Sequence, residues 1–99
     1  MIKAHPQSVD DLIKGRVVYD FGCAGEHIQW CSDYPNHLAS VAASYFGFDI
    51  NREAIEIIRP HGHRVYYHDL SMELTWRPPE DVRGTDAIVL LSEVIEHHA

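Results

Sequence analysis

The chain has 99 residues, so it can hold at most one small domain with one hydrophobic core. Its 45% hydrophobic and 23% charged residues are typical of a globular protein, not of a disordered or fibrous one, and a net charge of −7 without a basic cluster argues against tight nucleic-acid binding. The longest apolar run, 87–91, is too short to span a membrane. With no signal-peptide pattern, we expect a cytoplasmic protein in which Cys23 and Cys31 are reduced.

The N-terminal third is predicted to contain a short helix, a strand and a loop. Residues 2–14 have apolar side chains at helical spacing. The segment RVVYDF at 16–21 is rich in β-branched and aromatic residues, which predicts the first strand, and Gly22 ends it. The polar, glycine-containing and proline-containing segment 23–36 predicts a long loop, with one helical turn around 27–30.

Two helices and a strand are predicted next. In the segment 35–45 apolar residues recur at intervals of three and four, which predicts a helix with one buried face. The segment YFGFDI at 45–50 predicts the second strand. Asn51 suits the N-cap of the following helix, and Pro60 and Gly62 end that helix. The apolar positions of the helix predicted at 35–45 are Leu38, Val41, Ala42 and Tyr45.

The C-terminal part is predicted to add two strands. HRVYYHDL at 63–70 predicts the third strand, and the connection 71–85 contains two consecutive prolines that exclude a long helix. DAIVLLS at 86–92 is an apolar run of strand length, and 93–99 could begin a helix. Strands that alternate with helices in this way predict an α/β fold, with a parallel sheet covered on both faces.

All four predicted strands end in or next to an acidic residue. The first three end around Asp20, Asp49 and Asp69, and Glu93 follows the fourth. Each carboxylate alone could simply cap a helix or a turn. Open parallel sheets bind ligands at the carboxyl ends of their strands, however, so four acids beside a glycine-containing loop predict a ligand site.

The residue types at this edge favour a nucleoside. A carboxylate such as Asp49 can accept two hydrogen bonds from a ribose diol. Glycines in the loop at 22–25 allow backbone N–H groups to approach a ligand closely. A pyrophosphate would be repelled by so many carboxylates, and the loop lacks the third glycine of the dinucleotide fingerprint. We therefore expect a nucleoside with a cationic or zwitterionic tail.

The four strand ends resemble the motifs of class I S-adenosylmethionine-dependent methyltransferases. VVYDFGCAG resembles the glycine-loop motif, YFGFDIN the second motif, VYYHDL the third and DAIVLLSEVIEHH the fourth. The resemblance extends from Val17 to His98. It implies a Rossmann-like three-layer α/β sandwich, here with a truncated parallel sheet of strand order 3-2-1-4, and it implies S-adenosylmethionine as the cofactor.

The resemblance also implies a role for each strand end. Asp49 would accept hydrogen bonds from the ribose hydroxyls, with Ile50 against the adenine. Asp69 would accept from the adenine amino group, with Leu70 beside the ring. Judged on the residues alone, Ile50 and Leu70 could equally be core residues. Asp20 would organise the glycine loop, with Gly22 and Ala24 under the methionine portion. The other implied cofactor-binding residues are Gly25 in the same loop, and Ser92 and Glu93 near the sulfonium.

The glycine loop departs from the family pattern D-x-G-x-G-x-G. Ala24 and Glu26 occupy the second and third glycine positions, and Gly25 is out of phase. Alanine is tolerated there if its φ is negative, whereas glutamate cannot replace a glycine that needs a positive φ. The loop would then be re-registered around Gly25. The interval from the first to the second acid is long, so the segment 26–36 is expected to fold over the site or to pack on its rim.

The chain corresponds to the first four of the seven strands of this family. The half that usually contacts the methyl acceptor is not included, so the acceptor cannot be identified. The apolar strand at 86–92 would be an exposed sheet edge, which predicts a homo-oligomer or a partner chain that pairs with the fourth strand.

The expected function is methyl transfer from S-adenosylmethionine to a small-molecule acceptor, with Glu96 and His97 as the only candidates for a catalytic base. The main alternative is a non-catalytic half-domain that binds S-adenosylmethionine or S-adenosylhomocysteine, or that oligomerises. Glu93, Glu96 and His97 would share one helix face and could ligate a divalent metal. Their E-x-x-E-H pattern resembles that of metal-dependent methyltransferases that act on the 3′-terminal 2′-hydroxyl of small RNAs, which makes a metal-dependent RNA 2′-O-methyltransferase the second alternative. The same pattern occurs in metal-free relatives, and we predict no metal. A nicotinamide-type nucleoside binder is a weaker alternative.

Overall fold

The computed structural model describes residues 6–25 and 27–91, and it contains one four-stranded sheet. All strand pairs are parallel, and the strand order is β3-β2-β1-β4. The predicted α/β fold, with its order 3-2-1-4, is therefore confirmed. The strands are β1 (Val17–Phe21), β2 (Ser44–Asp49), β3 (Arg64–Tyr67) and β4 (Ala87–Leu90).

Three α-helices pack on one face of the sheet. The core on this face joins Val18 of β1 and Val65 of β3 to buried side chains of the helices, including Ile13, Leu38 and Ile58. No helix within the described residues is long and apolar enough to cross a membrane. The helices are α1 (Pro6–Ile13), α2 (Asp33–Val41) and α3 (Arg52–Ile58), and short 3₁₀ helices cover Ile28–Trp30, Arg59–His61 and Glu80–Val82.

The opposite face of the sheet is aromatic and is covered by the connection between β3 and β4. Phe46 and Phe48 of β2 are buried at its centre. Trp76 of the connection lies over both rings, with centroids 5.2 and 5.0 Å away. Val82, in the last 3₁₀ helix, closes the other end of this cluster. The connection between β3 and β4 thus forms the third layer of the fold. It contains no long helix, in agreement with its two consecutive prolines.

The predicted helix at 35–45 has different limits in the structure. It starts at Asp33 and ends at Val41, because Ala42 is already extended with ψ 155°. Tyr45 belongs to β2, where Ser44 and Tyr45 pair with Val17 and Val18. Tyr45 fits both predicted patterns, as the last residue of the helical one and the first residue of YFGFDI. Strand pairing confirms its place in the strand and shows that its place on the helix was wrong. The helix predicted at 93–99 lies outside the described residues.

Candidate functional site

The carboxyl ends of β1, β2 and β3 meet at one edge of the sheet. Phe21 is paired with Phe48, and Asp49 is paired with Tyr67. The chain that leaves each strand therefore emerges at this edge. The predicted site residues Ser92 and Glu93, and the candidate bases Glu96 and His97, lie outside the described residues. The predicted site residues at or next to this edge are Asp20, Gly22, Ala24, Gly25, Asp49, Ile50, Asp69 and Leu70.

The glycine loop is held against the end of β2. The backbone N–H groups of Gly22 and Cys23 both donate to the carbonyl oxygen of Phe48, at 2.8 and 3.1 Å. Gly22 and Gly25 have positive φ values of 88° and 69°, and no described non-glycine residue has a positive φ. Ala24 therefore meets the condition under which alanine is tolerated, and the left-handed turn falls on Gly25. Glu26 lies outside the described residues.

Asp49 connects the glycine loop to the start of α3. Its Oδ2 accepts from the backbone N–H of Ala24 at 3.0 Å, and its Oδ1 accepts from that of Asn51 at 2.9 Å. Asn51 in turn caps α3, because its Oδ1 accepts from the Ala54 N–H at 3.1 Å. Asp49 itself is buried, with 9% of its surface exposed. A carboxylate has about four acceptor positions, so Asp49 can still accept from a ligand.

Asp20 is completely buried, one residue before the end of β1. Its Oδ2 accepts from the hydroxyl of Tyr45 at 2.7 Å, whereas its Oδ1 has no hydrogen-bond partner among the described residues. Burial raises the pKa of Asp20 from 3.8 to about 6, the Tyr45 hydrogen bond opposes the rise, and the charge of Asp49 adds to it. At neutral pH Asp20 is therefore a buried carboxylate, and its Oδ1 has no hydrogen-bond partner among the described residues.

Asp69 follows β3 and is fixed by its own turn. Its Oδ1 accepts from the backbone N–H of Ser71 at 2.9 Å and from the Ser71 hydroxyl at 2.8 Å. These hydrogen bonds lower the pKa of Asp69, so it is ionised at neutral pH. The preceding residue, His68, donates its backbone N–H to the Asp49 carbonyl oxygen at 2.9 Å. The ends of β2 and β3 are thus connected.

Two exposed apolar side chains lie beside these aspartates. Ile50 is 58% exposed and Leu70 is 47% exposed. Neither belongs to either core cluster, so the alternative that they are ordinary core residues is excluded. Each directly follows an aspartate at the end of one of two neighbouring strands. Apolar side chains in this position are available to cover a flat ring between them.

The segment after the glycine loop lies near both buried aspartates. Burial raises the pKa of Tyr34, and the charge of Asp20 adds to that rise. Burial likewise raises the pKa of Cys31, with a smaller contribution from the charge of Asp49. Trp30, which directly precedes Cys31, is 55% exposed. Cys31 itself is buried in the core cluster that also contains Val18 and Leu38. That the segment 26–36 folds over the site or packs on its rim stays a prediction.

The roles of two residues in the site were not predicted from the sequence. Tyr45 is the hydrogen-bond partner of Asp20. Gly47 lies under the glycine loop, where an added Cβ would be 2.9 Å from both Cys23 Sγ and Val65 Cγ1. A glycine inside a strand is itself a signal of close approach by another part of the chain, so the sequence YFGFD could have indicated this contact.

The described residues contain no group of three or more His, Cys, Asp or Glu side chains that could hold a metal ion. His61 and His63 stack with their ring centroids 6.3 Å apart, and Nε2 of His63 is hydrogen-bonded to Asn36. This pair forms a polar surface turn outside the site.

Comparison of the chain with protein-family models, with curated proteins and with solved structures gave no match. The candidate site is therefore defined by its own geometry.

Proposed function

We propose that the chain binds S-adenosylmethionine at the carboxyl edge of the sheet and belongs to, or forms part of, a methyltransferase that acts on a small-molecule acceptor. The observation that carries this proposal is the combination of Asp49, with spare acceptor positions, and the exposed Ile50 and Leu70 beside it. A polar group that accepts from a diol, next to two apolar side chains, suits the ribose and base of a nucleoside.

The ribose and the adenine of the cofactor each have a candidate partner at this edge. Asp49 would hold the ribose hydroxyls, and Ile50 and Leu70 would contact the adenine. Asp69 is ionised, and its described hydrogen bonds all fall on Oδ1, which leaves Oδ2 for the adenine amino group. Asp20 is completely buried behind the glycine loop, so its proposed role is to organise that loop and not to contact the ligand.

When bound, S-adenosylmethionine supplies an electrophilic methyl group on its sulfonium. The described residues contribute binding and orientation, by which an enzyme lowers the entropic part of the barrier. Glu96 and His97 remain the proposed candidates for a base that removes a proton from the acceptor. The proposal includes a cytoplasmic location, which is supported by two cysteines that are both free.

A non-catalytic cofactor-binding module is the second candidate. It is favoured by the position of β4, which pairs only with β1 among the described strands. The described residues form no structure on the side of β4 that faces away from β1, where a methyl acceptor could bind. In this case the chain would bind S-adenosylmethionine or S-adenosylhomocysteine and require a partner for catalysis.

Calorimetric titration with S-adenosylhomocysteine tests the binding proposal. We expect binding by the unmodified chain, and Ile50→Asp should weaken it by at least about tenfold, because a charge would replace the apolar contact. Ile57→Asp is the matched control, since Ile57 is also exposed, at 42%, but lies on α3 away from the strand ends. It should bind like the unmodified chain.

The outcomes separate the candidates. No binding at millimolar S-adenosylhomocysteine would contradict both the enzyme and the module. Tighter binding of a nicotinamide dinucleotide would favour the weaker nicotinamide alternative. Equal losses in the Ile50 and Ile57 variants would show that the ligand does not contact Ile50. Binding without methyl transfer to any tested small acceptor would favour the module over the enzyme.

A further inference from the structure

Two buried carboxylates of neighbouring strands lie beside the glycine loop. Asp20 of β1 is fully buried, and Asp49 of β2 is 9% exposed. Asp20 is paired with Gly47, two residues before Asp49, and the charge of Asp49 raises the pKa of Asp20. Neither carboxylate forms an ion pair with a described residue. The two groups therefore act on each other through their charges, and no described cation offsets them.

The groups that surround Asp20 leave its charge without a counterpart. The titratable side chains near it are the hydroxyls of Tyr45 and Tyr34, the thiol of Cys23 and the carboxyl of Asp49. Burial, and after it the charge of Asp20, raises the pKa of both tyrosines and of the cysteine, so these three side chains are uncharged at neutral pH. On the β4 side Asp20 is paired with the apolar Leu90. One hydroxyl, that of Tyr45, is the described donor to Asp20.

The proposed ligand would bring a positive charge to this part of the site. S-adenosylmethionine has a sulfonium in addition to its ammonium and carboxylate, so its net charge is positive. S-adenosylhomocysteine lacks the sulfonium charge and is a neutral zwitterion, although the rest of the two ligands is the same. A negative potential at the glycine loop, which directly follows β1, therefore favours the first ligand over the second.

We propose that the charge of Asp20 makes the site prefer S-adenosylmethionine to S-adenosylhomocysteine, and that protonation of Asp20 removes most of this preference. The inference rests on the proposed function, because it concerns the same site. Asp20 acts through its charge and contacts neither ligand, so it determines specificity and is not a catalytic residue. A site with this preference releases the product of methyl transfer more readily than the cofactor.

The expected pH dependence follows from proton linkage. Because Asp20 has a pKa of about 6, it is about 90% ionised at pH 7 and about 90% protonated at pH 5. One opposite charge nearby makes a carboxyl group at least about tenfold more acidic. With this value, the preference for S-adenosylmethionine should fall about fivefold between pH 7 and pH 5.

Calorimetric titration of the full chain with each ligand at pH 5, pH 6 and pH 7 tests the proposal. The measured quantity is the ratio of the two dissociation constants at each pH. Both ligands carry the same amino and carboxyl groups, so the titration of these groups largely cancels in the ratio. We expect the ratio to change about fivefold over this range, with most of the change below pH 6.

Substitution of Asp20 tests whether this residue is responsible. Asp20→Asn keeps the shape of the side chain but does not ionise. Its ratio should be the same at pH 5 and pH 7, and close to that of the unmodified chain at pH 5. Asp86→Asn is the matched control, because it makes the same change of charge at an exposed residue that precedes β4, at the opposite edge of the sheet. It should keep the fivefold change.

Tyr45→Phe gives a second test that leaves the carboxyl group in place. The Tyr45 hydrogen bond lowers the pKa of Asp20, so its loss should move the change in the ratio to a higher pH. A change at the same or a lower pH would overturn the role of Asp20. Circular dichroism at each pH establishes that the variants are folded.

The outcomes distinguish this inference from the proposed function. If neither ligand binds at millimolar concentration, both are overturned. If both ligands bind with a ratio that does not depend on pH, only the inference is overturned. If the ratio changes equally in the unmodified chain and in Asp20→Asn, another group causes the preference and the role of Asp20 is overturned.

Discussion

Replacement of Asp20 by asparagine should change how the stability of the fold depends on pH. Asp20 has no exposed surface, and its pKa is raised from 3.8 to about 6, chiefly by burial. The folded state therefore binds its proton more tightly than the unfolded state does. A pKa raised by this amount corresponds to a cost of about 3 kcal/mol for keeping Asp20 ionised in the fold at neutral pH.

The sign of the effect follows from proton linkage. Below pH 3.8 Asp20 is protonated in both states and this cost is absent. As the pH rises from 3.8 to about 6, the unfolded state loses its proton first, so the folded state becomes less stable relative to it. Above about pH 6 the cost has reached its full value. This pH dependence is opposite to that of a carboxylate with a lowered pKa, which stabilises a fold at neutral pH.

The measurement is the free energy of unfolding of the unmodified chain and of Asp20→Asn, by urea denaturation, from pH 4 to pH 7. Asparagine keeps the shape and can accept the Tyr45 hydrogen bond, but it does not titrate. Any fixed effect of the new amide is the same at every pH. We therefore compare the difference in the free energy of unfolding between the two proteins at each pH. Between pH 4 and pH 7 this difference should change by about 2 kcal/mol in favour of Asp20→Asn.

Titrating groups that do not interact with Asp20 contribute equally in both proteins and cancel in this difference. The charge of Asp49 acts on Asp20, so the shift reports the two carboxyl groups together. A difference that stays constant across this range would refute the argument that Asp20 is held at an energetic cost. A shift in the opposite direction would mean that the Tyr45 hydrogen bond outweighs burial and holds the pKa of Asp20 below its ordinary value.

Two further substitutions test the construction of the site. Gly47→Ala should destabilise the fold by about 1–3 kcal/mol in urea denaturation, because its Cβ would lie 2.9 Å from Cys23 Sγ and Val65 Cγ1; unchanged stability would contradict this packing. Asn51→Ala should cost about 1 kcal/mol, because the Ala54 N–H loses its cap, and Asn51→Asp should restore most of that stability. Equal stability of the alanine and aspartate variants would contradict the cap.

The order of the elements could be predicted from the sequence because each strand has a local pattern. Val17–Phe21 and Ser44–Asp49 are rich in aromatic and β-branched residues, and the Asn51 cap has the side chain that an N-cap prefers. The parallel arrangement follows from the alternation of strands and helices. The strand order depended on the resemblance to a known fold, since no local pattern specifies which strands are neighbours.

The boundary between α2 and β2 could not be predicted in the same way. Leu38, Val41, Ala42 and Tyr45 have helical spacing, yet Tyr45 is drawn into β2 by its pairing with Val18 of β1. That pairing joins residues far apart in the chain, which a local period does not detect. It also places the Tyr45 hydroxyl on Asp20, so the same long-range contact that ends the helix completes the buried part of the site.

The two aspartates of β1 and β2 differ in what the fold gains from them. Asp49 accepts from the Ala24 and Asn51 backbone N–H groups, so it holds the glycine loop and the start of α3 in place. Asp20 accepts only from Tyr45 within the described residues, and burial works against its charge. A neutral residue of the same shape would serve the fold better at neutral pH. Groups kept at such a cost are concentrated at functional sites, which agrees with the place of Asp20 directly before the glycine loop.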